Sequence, residues 1–222
     1  MKKIYFFLLS IFIFQTNFAQ EYFRLKADFT VKIKKADGSM NLTKGKIYYD
    51  KNYKDLIYDI KFPEHEKWIM RDTLLIKIKQ GQKPQINKIP SINEFSIFHL
   101  ALNVSLTNFG LDNTVYQMVK VEKKDGKIIS YWKLPNNKLE SMDQIIIAKK
   151  DNKLLNVIII DNKNRIINKQ FFKDYVQIGA FQFPSKVIQI SYDKDNKPNY
   201  QVFEFKNIEV NDMSNDNLYH YQ

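Results

Sequence analysis

The sequence predicts an all-β protein, an antiparallel sandwich or barrel of about eleven or twelve strands with one or two helices. Three observations predict it. Apolar and polar residues alternate with a period of two along most of the chain. Turn signals such as Asp37-Gly38, Asp125-Gly126 and Asp151-Asn152 recur about every ten residues. The chain also carries 17 Phe, 13 Tyr and 2 Trp, more than a flat sheet can hide, so the sheet has to curl around a core. A wide curl leaves an apolar concavity that needs a cover.

The first strand is the clearest. Phe23, Leu25, Ala27, Phe29, Val31 and Ile33 point one way, and Arg24, Lys26, Asp28, Thr30, Lys32 and Lys34 the other, which gives one buried face. After Asp37-Gly38 a second strand runs through Leu42, Ile47 and Tyr49, and a turn at Asp50 to Asn52 leads to a third through Leu56, Tyr58, Ile60 and Phe62. Pro63 ends that strand because proline cannot donate to the ladder. Trp68 to Met70 and Leu74 to Ile78 are short strands, and Gln80 to Pro90 is a polar loop with two prolines. Hairpins resume with Val115 to Val121, Ile128 to Leu134, Ile145 to Ala148, Leu154 to Ile160, Ile166 to Tyr175, Phe181 to Tyr192 and Tyr200 to Val210. Asn211 to Gln222 is polar and is expected to fray.

Between the two strand-rich halves lies Ser91 to Gly110, the one candidate for a substantial helix after residue 20. Phe98, Leu100, Leu102, Val104 and Leu106 alternate as a strand would. Against that, Ser91 and Glu94 form a capping box, Gly110 suits a helix end, and Phe95, Phe98, Leu102, Leu106 and Phe109 share one helical stripe. We read a helix, whose stripe serves either as core packing or as the cover of a hydrophobic ligand site.

Residues 1–19 form a leader: Lys2 and Lys3, then the apolar run Ile4 to Phe14, which is too short to span a bilayer well, with cleavage expected near Ala19 or Gln20. Residues 20–211 then form one domain and 212–222 a polar tail. There is no cysteine, which excludes disulfides, a thiolate metal site and lipidation at the cleavage site, so an exported, unlipidated periplasmic protein is expected. The formal charge of +11 is nearly all lysine, with Arg24, Arg71 and Arg165 the only arginines. Nucleic-acid recognition favours arginine, and these lysines are scattered over strand faces, so a solvated surface is expected and no nucleic-acid partner.

No chemistry-bearing motif appears. His65, His99 and His220 are isolated, so no local metal pair exists, and His99 is expected to be a satisfied buried histidine. Glu64 and Glu66 are expected to be solvated neighbours in a turn, not an acid pair. There is no nucleophile elbow, phosphate loop or zinc-protease motif. A non-enzymatic protein without a cofactor is expected.

Several stretches carry a resemblance. Gly45-Lys46-Ile47 leads a strand; Tyr58-Asp59-Ile60-Lys61-Phe62-Pro63 is followed by Trp68-Ile69-Met70-Arg71-Asp72-Thr73-Leu74-Leu75; Phe183-Pro184-Ser185-Lys186-Val187 and Phe205-Lys206-Asn207-Ile208-Glu209-Val210-Asn211 stand near the end. In this order they resemble the periplasmic carriers of outer-membrane lipoproteins, the LolA-like family, over most of the mature chain. The family usually has glycine where Thr73 stands, its N-terminal helix has no counterpart, and its basic residue after the glycine strand is matched by Tyr48, Tyr49 and Asp50. The resemblance implies an unclosed β-barrel with a helical lid that includes Ser91 to Gly110. It implies a monomeric carrier of lipoprotein acyl chains or other lipid, passing cargo from an inner-membrane release complex to an outer-membrane acceptor. The ligand-binding set would be Leu25, Phe29, Val31, Tyr58, Ile60, Trp68 and Met70 from the sheet, with Phe95, Phe98, Leu102 and Leu106 from the lid. The competing expectation is an envelope interaction or scaffold protein with a filled barrel.

Overall fold

A computed structural model describes residues 21–89, 96–135 and 142–221. The leader, Ser91, Glu94 and Phe95 lie outside the described residues. Thirteen strands form one antiparallel sheet. They are β1 (Arg24–Lys34), β2 (Met40–Asp50), β3 (Asp55–Phe62), β4 (Glu66–Arg71), β5 (Leu74–Lys79), β6 (Gln85–Lys88), β7 (Gln117–Lys124), β8 (Lys127–Lys133), β9 (Gln144–Lys150), β10 (Lys153–Ile160), β11 (Ile166–Ile178), β12 (Phe181–Tyr192) and β13 (Pro198–Val210). The order across the sheet is β6-β5-β4-β3-β2-β1-β13-β12-β11-β10-β9-β8-β7. Two meanders are thus joined at the middle by the β1–β13 pairing, and β6 and β7 are edges, so the barrel is unclosed.

This topology dictates where the cover goes. The chain leaves β6 at one edge and re-enters at β7 on the other, so the segment between them must cross a face of the sheet. It crosses the concave face, where α1 (Ile97–Leu102) packs mainly on β12. The concave side is also where alternation puts the core: Leu25, Ala27, Phe29 and Val31 are buried on β1, and Phe183, Val187 and Phe205 on the strands beside it. Burying such side chains contributes about 1.5–3 kcal/mol each, which is what curls the sheet. At the hairpins, Asp125-Gly126 and Asp151-Asn152 both have positive φ at two successive residues, the conformation of tight hairpin turns.

Three expectations are corrected. The loop Gln80 to Pro90 contains β6, paired to β5 through Ile76↔Ile86. The helix is six residues long, not a span of Ser91 to Gly110. The tail does not fray: Tyr219 is fully buried on the convex face, beside Tyr48, Ile57 and Ile69. Two arginine networks, each built on a buried carboxylate of the sheet, strap it down. Arg24 bridges Asp50 and Asp216 at 2.8 and 2.6 Å. Arg71 binds Asp55 at 2.5 Å, and the same carboxylate accepts from the Tyr221 N–H at 3.0 Å.

Candidate functional site: a lidded apolar cavity

A six-residue helix is too short to hold itself, so tertiary contacts fix it. Ser96 caps it, its hydroxyl accepting from the His99 N–H at 3.2 Å. Its end is set by asparagines that compete for backbone groups: the Asn103 side chain donates to the His99 carbonyl at 2.9 Å, and Asn108 accepts from the Gly110 N–H at 3.1 Å. Val104, Phe109 and Gly110 all take the left-handed conformation, and the chain continues as two short 3-10 turns, Leu106–Asn108 and Leu111–Asn113. Gly110 suits its φ of 71°, and a Cβ there would press on the end of the Leu100 side chain at 2.8 Å.

Aromatic contacts seat the segment. The Phe98 ring stacks on Phe183 with centroids 5.6 Å apart and meets Phe205 edge-on at 5.4 Å. Phe109 meets Phe172 at 6.4 Å. His99, half-buried, shares a 2.6 Å hydrogen bond between its Nδ1 and the Tyr49 hydroxyl on β2. Tyr49 belongs to the stretch that stands where the resembled family has its basic residue, and a tyrosine–histidine tie holds this segment to the sheet.

Beneath the segment lies a cavity of about 660 Å³, within the range of roughly 300–1,000 Å³ typical of small-molecule sites. Of the residues named from sequence, Phe29, Val31, Tyr58, Ile60, Trp68, Met70 and Phe98 line it. Leu25, Leu102 and Leu106 do not; they are buried in the packed core beside it. Phe95 lies outside the described residues. The opposite wall, which sequence reasoning missed, comes from Ile145, Ile159, Val187, Phe203 and Phe205. These residues sit on the same alternation as the first wall, Phe203 and Phe205 opposite Val31 and Phe29. Finding them requires knowing that β1 pairs with β13.

Among the described residues, no lining residue carries a charge. Burial pushes the Tyr58 phenol well above its usual value, so it stays neutral. Lys77 lies over the Trp68 ring at 4.5 Å and Glu66 accepts from its indole N–H at 2.8 Å; they touch the lining without joining it. Elsewhere, Glu64 pairs with Lys79, and His65 is exposed with a 3.1 Å bond to Asp59, so the two glutamates form no acid pair. Among the described residues no group of three His, Asp or Glu could hold a metal ion, and no helix is long and apolar enough to cross a membrane.

No family model matches the chain, and no curated protein matches it. Solved structures do. A LolA superfamily protein from Nitrosomonas europaea superposes with a TM-score of 0.59 at 10% identity, covering 91% of this chain and 92% of its own. The fold is LolA-like. An outer membrane lipoprotein-sorting protein domain from Vibrio parahaemolyticus aligns with a TM-score of 0.53 at 11% identity, over 87% of this chain and 88% of that one. A DUF1329 family protein from Desulfovibrio piger gives 0.53 at 12% identity, over 90% of each. At such identity the likeness carries the LolA-like architecture and says nothing of ligand. What the cavity holds must be argued from its own lining.

Proposed function

We propose that this protein is a carrier that binds the acyl chains of lipoproteins, or a similar amphiphile, in its lidded cavity. The observation that carries the reading is the 660 Å³ space itself, mostly apolar and uncharged among the described residues, between a curved sheet and a short helix. Such a space gains about 0.8 kcal/mol for each methylene it removes from water. A bilayer gains about the same per methylene, so cargo exchanges with a membrane at little net cost. The LolA-like architecture supports the reading, and the open cavity argues against a scaffold with a filled barrel. In this reading the leader directs export, the mature protein works in the periplasm without lipidation or catalysis, and it delivers cargo toward the outer membrane. An inner-membrane release complex and an outer-membrane acceptor would be its partners.

The test is uptake of diphenylhexatriene, a hydrocarbon that fluoresces when it leaves water. Wild-type protein is expected to take up the probe, and Phe98→Asp to abolish uptake while the circular dichroism of the sheet persists. A folded wild type that takes up no probe overturns the proposal.

A further inference from the structure

The cavity lining is mostly apolar, and its polar side chains gather chiefly on one part of the sheet. Gln170 on β11, Gln189 on β12 and Gln201 on β13 all line it, and they stand in one row: Gln170 is directly opposite Gln189, and Gln189 directly opposite Gln201. The row continues on β1 with Ile33, again a lining residue. Side-chain alternation therefore aims three primary amides at the same apolar space. Among the described residues none of the three amides has a hydrogen-bond partner. In-register amides commonly bond to one another along a sheet; these do not. One step further along the strands, Asn168 stands opposite Ile159, a lining residue, and its Oδ1 is buried without a partner. Water can meet half-buried amides in the empty cavity, and a ligand that displaces it has to replace those bonds with its own polar atoms.

The row lies away from the helix. Phe98 packs against Phe205, four residues from Gln201 on β13, which is about 13 Å at ~3.3 Å per residue. The cavity thus has a hydrocarbon end under the helix and a hydrogen-bonding end at the glutamine row.

We propose that the glutamine row recognises an uncharged carbonyl linkage, the ester or amide that joins an acyl chain to its headgroup, with the chain directed toward Phe98. The inference rests on the carrier reading and adds to it the chemical class of the cargo. A primary amide offers two donors and an acceptor without charge, which suits a carbonyl oxygen or an amide N–H. A free fatty acid is a poor match: its carboxylate would be stripped of water at a row that holds no cation, and burying an unpaired charge is far costlier than burying a neutral polar group.

The test compares ligands of one chain length by displacement of diphenylhexatriene from wild type: dodecanoate at pH 8, methyl dodecanoate and N-methyldodecanamide. Wild type is expected to bind the ester, the amide or both at least about tenfold more tightly than the anion. Preference for the amide identifies an N-acylated cargo, and preference for the ester a glycerolipid-type cargo. In Gln170→Leu/Gln189→Leu/Gln201→Leu the hydrocarbon probe is expected to bind at least as well as in wild type, while the ester and amide lose about tenfold relative to it. The single variant Gln189→Leu, closer to the native fold, is expected to show a smaller loss in the same direction. If wild type binds the hydrocarbon probe but ranks the anion equal to ester and amide, or if the triple variant binds ester and amide, relative to the probe, as tightly as wild type does, the glutamine proposal is overturned and the carrier reading stands. If folded wild type binds no probe, the carrier reading falls and takes this proposal with it.

Discussion

Gly45→Ala tests the geometry of the cavity wall. Gly45 sits on β2 between Phe29 and Ile60, both of which line the cavity. A Cβ built there lies 2.1 Å from the Asp59 carbonyl oxygen and 2.9 Å from the Ile60 Cα, both main-chain atoms that no rotamer change can move. A carbon and a carbonyl oxygen rest at about 3.3 Å, so β3 must retreat by about 1 Å. Overpacking of this kind costs about 1–3 kcal/mol, and straining one or two ladder hydrogen bonds adds ~1 kcal/mol each. We expect a loss of about 3 kcal/mol, which lowers Tm by about 6–12 °C in a domain of this size. Tyr58 and Ile60 travel with β3, so uptake of a hydrocarbon probe should fall as well. Gly38→Ala is the control: nothing lies within 4 Å of its Cβ position, and only its φ of 86° opposes a side chain, a cost of about 1–2 kcal/mol. Thermal unfolding followed by circular dichroism reads both. A Gly45→Ala protein within about 0.5 kcal/mol of wild type, the range of an unconstrained surface change, would refute the close approach of β2 and β3.

Tyr219→Ala should destabilise by up to about 3 kcal/mol in urea unfolding, because it empties a fully buried site on the convex face; probe uptake should be unchanged, since the cavity is on the other face. The tail should also loosen in acid. A hydrogen bond from Lys26 holds the Asp212 carboxyl below its usual range, and one from Arg24 does the same for Asp216. Depressed carboxylates stabilise fully above the unfolded value of about 3.9 and lose that contribution as pH falls through the folded value. Amide exchange in 212–221, corrected for intrinsic rate, should therefore be protected at pH 7 and lose protection below about pH 4; equal protection at both would refute the strap. Tyr49→Phe removes the 2.6 Å bond to His99 and should speed probe exchange while costing only about 1 kcal/mol of global stability; unchanged exchange would refute the tie.

The strands were legible in sequence because most have one buried face, which imposes a period of two. β6 was not, since all four residues of Gln85–Lys88 are exposed and leave no pattern. The covering segment was legible as a cover but not in its conformation. Phe98, Leu100, Ala101 and Leu102 are all buried, so neither a strand period nor a single helical stripe describes it, and its length is set by asparagine side chains and left-handed residues. Half of the cavity was legible, the half on β1, β3 and β4. The other wall depends on β1 pairing with β13 across most of the chain, a contact no local pattern encodes. The tail was misread because its burial is supplied by the opposite parity of β2, β3 and β4, through Tyr48, Ile57 and Ile69, which a lysine-rich outer face conceals. The glutamines were overlooked because a polar residue on an inward position looks, within one strand, like a lapse in alternation; their meaning appears when three strands set them side by side.

The central claim is that an acyl chain enters the space beneath α1, and Trp68, which lines that space, reports it directly. In a Trp132→Phe background, with Trp68 the remaining tryptophan, a methyl ester brominated along its chain should quench the emission saturably, and its unbrominated counterpart should compete. A folded protein whose Trp68 emission is untouched by the brominated chain would contradict the claim.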